Sequence, residues 1–535
     1  MHAHFLASRP LGNNPILRRA PLPQESRNLR LFKLSCPHLN AGRLHKIVRL
    51  SCQGVPQSLL EGSIRNSGLQ SLPYGAPAKF STEATRLVSC IAVCAAKTNH
   101  SRRLTIVKTR LLKGILAASL AATFSSAYSQ DNYKIGIVSF LSGQAAESFG
   151  IPAVNGAKWL VEQFNNGTAP APFNLKGFGG LKIDPVYVDE AGGATKQVQE
   201  LRNLYDREKV DAVVGFVSSG DCLAVAPVAE EMKKFLILYD CGTPRIFEER
   251  EYNYVFRTAA HGAMDNVALA RYLKAREIAA PTVNYINQDY AWGHDSLRDF
   301  QLSMTQLYPE SKPGIDLRPK FGAGQYGTEI SALLSKPAAV THSSLWGGDL
   351  QAFILQAAPR GVFSKTQVVL SAGDHVLPAL GQRMPDGVIL GARGAYGLMS
   401  PQSPLNDWWF QGYQKAYNVY PVQAPYRMAQ ALFGLKAAVE KAMAANNGKK
   451  PSMEQVAAAL RGLEWDSPAG RIKMALGKGH QAIQDTAIAR TKWDANKKMV
   501  TLVDISRFPA ECVNPPAGVK AEEWIAGGFK GAKCP

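Results

Sequence analysis

From Asp131 onward, short runs of β-branched and aromatic residues alternate with stretches whose apolar positions recur every three or four residues. The runs Lys134–Phe140, Leu181–Val188, Val210–Phe216, Phe235–Tyr239, Thr282–Ile286, Ala338–Ser343, Gln367–Leu370 and Gly387–Leu390 predict strands. Between them lie helical patterns. In 195–208, for example, Val198, Leu201, Leu204 and Tyr205 share one stripe, as a helix laid on a sheet requires. This alternation predicts doubly wound α/β layers with parallel sheets and right-handed crossovers. About ten strands exceed the usual size of one twisted open sheet, so two sheets of about five strands, and hence two lobes, are expected. After Gly394 come helical patterns at 405–417, 423–443 and 452–460, then extended runs at 486–493 and 500–505 that are expected to complete sheets begun earlier.

Composition narrows the classes. The 535 residues are 46% hydrophobic and 19% charged, a globular balance. No apolar run reaches the length of about 18 residues that a membrane-spanning helix needs. The net charge of +19 invites a nucleic-acid reading, but its placement argues otherwise. Residues 1–130 hold 18 Lys and Arg against only Glu25, Glu61 and Glu83; the remaining residues hold 43 against 39. The positive excess sits in the leader, and no nucleic-acid partner is expected.

That leader shows no sustained period over its first hundred residues. Then Lys108–Lys113 supplies a basic segment, Gly114–Phe124 a short apolar one, and Ser125–Ser129 small residues suited to cleavage. The order matches a secretory signal peptide at 107–129, which predicts export to the periplasm. Residues 1–106 are then a leader that lies outside the translated protein or has no fold of its own.

Four of the eight cysteines precede the signal segment; Cys222, Cys241, Cys512 and Cys534 follow it. In an oxidising compartment these predict two disulfides, with three connectivities possible. Proximity favours Cys222–Cys241 and Cys512–Cys534. The second would pin a tail at 509–535 whose Pro/Gly-rich stretch, Asn514–Gly518, has little apolar surface. No metal-ligand spacing occurs, and no cofactor is expected.

Open parallel sheets bind ligands beyond the carboxyl ends of their strands, so the residues following each strand are the candidates. One group offers hydroxyls and backbone N–H groups: Phe140-Leu-Ser-Gly143, Ser148-Phe149-Gly150, Val217-Ser218-Ser219-Gly220-Asp221-Cys222 and Asp240-Cys241-Gly242-Thr243-Pro244. Such groups at a helix start can hold a carboxylate, although each also suits simple helix capping. A second group is rich in aromatics: Asn287-Gln-Asp-Tyr290-Ala-Trp292-Gly293, Trp346-Gly-Gly-Asp349 and Ser371-Ala-Gly-Asp374-His375. Donors from one lobe and rings from the other would anchor a small acid and cover its apolar body. Asp374 could pair with an ammonium.

At these residues the chain resembles the type I periplasmic substrate-binding proteins of ABC transporters, in the branched-chain amino-acid (Leu/Ile/Val-binding) group. The resemblance spans about 132–505. It rests on Phe140-Leu-Ser-Gly, Phe149-Gly-Ile-Pro-Ala-Val-Asn-Gly156, Val214-Gly-Phe-Val-Ser-Ser219, Phe256-Arg-Thr258 and Asp289-Tyr-Ala-Trp-Gly293 in that order. It implies two Rossmann-like lobes joined by a three-strand hinge, here 131–258 with 395–463, and 259–394 with 464–508. It also implies a ligand set of Phe149, Ser218, Ser219, Gly242, Thr243, Tyr290, Trp292 and Asp374. Ser219 would hold an α-carboxylate, Gly242 and Thr243 would complete that grip, and Asp374 would stand near the position that holds the ammonium. Ser371-Ala-Gly-Asp-His375 departs from the family's Gly-Pro-Glu, which sets an amino-acid ligand against a flat aromatic acid. The implied role is capture of a small amino acid or carboxylate by a monomer and delivery to an ABC membrane permease. A soluble sensor of the same fold binding an amide, urea or aromatic acid is the alternative.

An enzyme is not expected. No Gly-x-Gly-x-x-Gly, Gly-x-x-x-x-Gly-Lys-Ser/Thr, Gly-x-Ser-x-Gly or His-Glu-x-x-His is present. The loop residues His261, His294 and His375 read as solvated rather than catalytic.

Overall fold

A computed structural model describes residues 132–534, so the readings of 1–106 and 107–129 lie outside the described residues. The chain first lays down β1 (Asn132–Ser139), β2 (Lys182–Asp189), β3 (Ala212–Gly215), β4 (Leu236–Leu238) and β5 (Val255–Arg257), all parallel. It then crosses to a second sheet and lays down β6 (Thr282–Ile286), β7 (Lys312–Leu317), β8 (Val340–Ser343), β9 (Gln367–Leu370) and β10 (Ile389–Leu390), again parallel. After three helices in the returning segment, β11 (Glu464–Ser467), β12 (Gly470–Leu476) and β13 (Gln481–Ile483) extend the first sheet. A last crossing leads to β14 (Thr486–Asp494) and β15 (Met499–Phe508) on the edge of the second.

All eight expected strands form, with ends displaced by at most two residues. Two expectations need correcting. The sheets hold eight and seven strands rather than about five, and their added edges are antiparallel: β12 against β11 and β13, β14 against β10 and β15. The missed strands lack an apolar run. In β7, Pro313 and Gly314 interrupt a mostly exposed edge, and β5 and β13 are three residues each. In addition, 464–483 was expected in the second lobe but pairs with the first sheet, because the chain crosses only between Ile483 and Thr486.

Helix Gln423–Ala445 is buried nearly all round and packs on helix Ile151–Asn166. Gly156 lets the two approach: a Cβ there would stand 3.0 Å from that of Pro425. Phe433 meets Phe164 and Phe173 edge to face, at 5.1 and 4.6 Å between ring centroids. Such pairs add about 0.5–1.5 kcal/mol each beyond their burial.

Three segments cross between the lobes, and side chains bind them together. Gln430 of the long helix donates to the Thr258 carbonyl and, at 2.7 Å, to Gln484 Oε1. The Tyr396 hydroxyl lies 3.1 Å from both Gln430 Oε1 and Gln484 Oε1. Thr258, Tyr396 and Gln484 each come from a different crossing. One polar cluster thus joins all three hinge strands, fully buried and away from competing water.

Disulfides join Cys222 to Cys241 and Cys512 to Cys534. The tail is better docked than its Pro/Gly content suggested. Trp524, Ile525 and Phe529 are buried, and the Trp524 indole N–H donates to the Lys530 carbonyl at 3.0 Å.

Candidate functional site

The loops after β3 and β4 form one wall of the interlobe cleft. Ser218 caps helix Ser219–Glu231 by accepting from the Asp221 N–H at 3.4 Å. The N–H groups of Val217 and Ser218 donate to the buried Glu190 carboxyl at 2.8–2.9 Å. Burial, with Asp221 nearby, pushes the Glu190 pKa well up. Ser219 Oγ accepts from the Thr243 N–H at 3.2 Å, which leaves its own O–H able to donate into the cleft. Thr243 turns its hydroxyl away, to Asp295 of the second lobe at 2.5 Å. The Cys222–Cys241 bond ties the helix start to this loop.

Rings form the opposite wall. Trp292 donates its indole N–H to the Ser344 carbonyl at 2.8 Å and lays its ring on the backbones of Gly242 and Gly262. Trp346 donates to the Tyr290 hydroxyl at 2.7 Å, stacks on Phe321, and meets Phe149 of the first lobe edge to face at 5.3 Å. The lobes are also joined by the Gly348 N–H donating to the Gln144 carbonyl at 2.8 Å. This is a closed arrangement.

Between the walls lie charges that the sequence reading did not assign. Asp240, at the end of the β4 loop, accepts from Arg393 on one oxygen and from Arg427 on the other, the latter at 2.6 Å. Arg427 also donates to the Ala392 carbonyl at 2.5 Å, and the Arg393 guanidinium lies over the Trp292 ring at 5.0 Å. Both Nε groups are buried without a partner. Burial and the adjacent Arg427 push the Arg393 pKa well below its ordinary value. The signal was available: Arg427 is a lone cation in the apolar run Ala424–Leu435, and Arg393 follows the short strand β10.

Of the expected ligand set, Phe149, Ser219, Gly242, Tyr290 and Trp292 border one common space, with Asp240, Trp346, Arg393, Gln423 and Arg427. Ser218, Thr243 and Asp374 do not. Ser218 is a cap, Thr243 faces Asp295, and Asp374 accepts from the Gln423 N–H at 2.8 Å. Burial lifts the Asp374 pKa to about 7. His261 and His375 are buried rather than solvated, while His294 is half-exposed beside Asp289. The walls touch so closely that about 20 Å³ remains, room for about one water. Ligand pockets run to about 300–1,000 Å³, so the space as it stands is too small for such a ligand. A larger crevice, of about 580 Å³, lies on the hinge flank between Phe247, His261 and Val519.

Residues 132–498 match the sequence model described as periplasmic binding protein. The chain belongs to the periplasmic binding protein family. This periplasmic binding protein is 25% identical over 374 residues to a Leu/Ile/Val-binding protein homolog of Brucella melitensis, an alignment covering 68% of this chain and 88% of the relative. Among solved structures, a solute-binding protein of an ABC transporter from Rhodopseudomonas palustris BisB5, in complex with 3,4-dihydroxybenzoic acid, superposes with a TM-score of 0.62 at 21% identity. It covers 71% of this chain and 98% of that one. An ABC-type branched-chain amino-acid transporter structure from Rhodopseudomonas palustris CGA009 gives 0.54 at 22%, covering 72% and 98%. At these identities the likeness speaks for the fold.

Closure of this binding protein depends on a bare backbone at Gly242, where a Cβ would fall 2.1 Å from the Trp292 ring. Gly242→Ala is therefore expected to disfavour the closed state by about 1–3 kcal/mol, the usual cost of overpacking. Small-angle scattering should record a larger radius of gyration than wild type; an unchanged radius would show that Trp292 swings aside at little cost.

Proposed function

We propose that this periplasmic binding protein captures a small carboxylate with a flat apolar body and delivers it to the membrane permease of an ABC importer. The observation that carries this reading is charge. Arg393 and Arg427 share one carboxylate, Asp240, leaving an unmatched positive charge among Trp292, Tyr290, Trp346 and Phe149. A ligand carboxylate supplies the missing charge, and the rings cover its body at about 25 cal/mol per Å² buried. An ammonium has no comparable partner, because the only acid on the wall, Asp240, is already engaged twice. A closed site that ligand groups from both lobes complete favours closure differentially, as a transport signal requires.

The experiment is a thermal-shift screen of benzoate, 4-hydroxybenzoate, 3,4-dihydroxybenzoate, leucine and urea on protein beginning at Gln130. The aromatic acids are expected to raise Tm and to be recovered unchanged, as befits a binder rather than an enzyme. A larger shift with leucine than with any aromatic acid would sink the reading.

Export through the segment 107–129 belongs to the same proposal, with the two lobes working in the periplasm as a monomer and 509–534 docked on the second lobe. N-terminal sequencing of the native product is expected to find a start near Gln130, and a mature chain retaining Cys36 or Cys90 would overturn it.

A further inference from the structure

Asp374 stands near the place where the family resemblance put a ligand contact, yet it and the adjacent His375 both turn to Gln423, the first residue of helix Gln423–Ala445. The backbone N–H of Gly347 donates to His375 Nε2 at 2.8 Å. A backbone N–H can only donate, so Nε2 carries no proton and the neutral ring holds its proton on Nδ1. Burial and the nearby Arg427 push the His375 pKa down to about 3, which keeps the ring neutral. The Gln423 carboxamide lies 2.7 Å from that Nδ1. A donor facing it must meet an acceptor, so the carboxamide oxygen faces His375 and the NH2 occupies the other position. That other position is fully buried and has no partner among the described residues, and Gln423 lines the cleft.

We infer that His375, held by Gly347, locks Gln423 as a hydrogen-bond donor aimed at the solute, so that the site selects acids carrying a second oxygen acceptor. Gln423 lies four residues before Arg427, one turn along the same helix face, about 5–6 Å away between Cβ atoms. In this reading the acceptor that Gln423 takes up is an oxygen other than those of the carboxylate that Arg427 attracts. A methyl group in that place leaves the buried NH2 unpaired, and an oxygen pairs it. Gln423 is a specificity residue, and His375 is a positioning residue. This inference rests on the carboxylate reading for its ligand class but not for the orientation of the amide.

Two measurements test it on protein beginning at Gln130. The first needs no ligand: imidazole 15N shifts in histidine-labelled protein, with the His375 signals assigned from their loss in His375→Gln. Protonated Nδ1 and bare Nε2 are expected; the opposite tautomer overturns the inference. The second compares affinities for 4-hydroxybenzoate, 3-hydroxybenzoate and their methyl counterparts, 4- and 3-methylbenzoate. Wild type should prefer at least one hydroxy acid over its methyl counterpart by about tenfold or more, and Gln423→Met should erase that preference. Equal binding of both kinds by wild type, or a preference that survives in Gln423→Met, overturns the inference. If wild type binds none of the four, the carboxylate reading and this ligand class fall together, and the tautomer alone then decides the amide's orientation.

Discussion

Replacing Asp240 by alanine is expected to destabilise the folded protein by about 3–5 kcal/mol, the range for removing one partner of a buried ion pair. Asp240 is fully buried and is the acid that both guanidiniums share. Without it, two cations face each other in a dry site where Arg427 already depresses the pKa of Arg393. Another buried acid, Asp265, is committed elsewhere. One of its oxygens accepts from Thr486 at 2.7 Å and the other from the backbone N–H of Arg393, and burial lifts its pKa to about 7. Urea unfolding measures the effect, and Asp240→Asn separates its parts: the amide keeps one acceptor oxygen and loses the charge, so it should fall between wild type and alanine. A midpoint for Asp240→Ala equal to that of wild type would show that Asp265 takes over as counter-charge.

The alternation of β-branched runs with helical stripes was enough to place eight strands and the two-sheet plan, helped by strands such as β3, β4 and β9 that are buried on both faces and therefore read as continuous apolar runs. The edge strands β7 and β11, unlike the edge strands β2 and β15, were not legible. In β7 and β11, exposed or polar positions follow one another, and β12 only alternates weakly. At the site, position after a strand end pointed to Ser219, Gly242, Tyr290 and Trp292, since topology alone brings those loops together. It failed for Arg427, which sits on a helix, and for Gln423 at that helix's start. It misjudged Thr243 and Asp374, because a strand-end loop places a backbone near the cleft without fixing where its side chain turns. Thr243 is drawn to Asp295 and Asp374 to the Gln423 N–H, and both partners lie far away in sequence.

Closure and chemistry share residues here. The contacts that hold the lobes together, Thr243 to Asp295, Phe149 to Trp346 and Gln423 to His375, surround the Arg393–Asp240–Arg427 group on several sides. Parting the lobes would admit water to the guanidiniums and weaken their attraction for any anion, since the same charges interact more strongly when dry. An anion bound there should therefore favour the closed form, and the closed form should hold the anion more tightly. That reciprocity follows from linkage.

The charge argument has a sharper consequence in Arg427→Gln. Losing one guanidinium leaves Arg393 and Asp240 as a balanced pair with no surplus to offer a ligand. Affinity for benzoate is then expected to fall by about 2–5 kcal/mol, about thirtyfold and upward, as for other truncations of a buried charge partner. Stability should suffer less than in Asp240→Ala, because the remaining pair is neutral. Asp240→Ala moves the site the other way: it adds net positive charge, so benzoate should bind at least as tightly as to wild type and restore part of the lost stability by mass action. Isothermal titration of the two variants at the same ionic strength decides the matter. Opposite displacements of affinity support a carboxylate held by surplus charge; a parallel loss in both would mean that Asp240 contacts the solute itself, and that its ligand carries a cation.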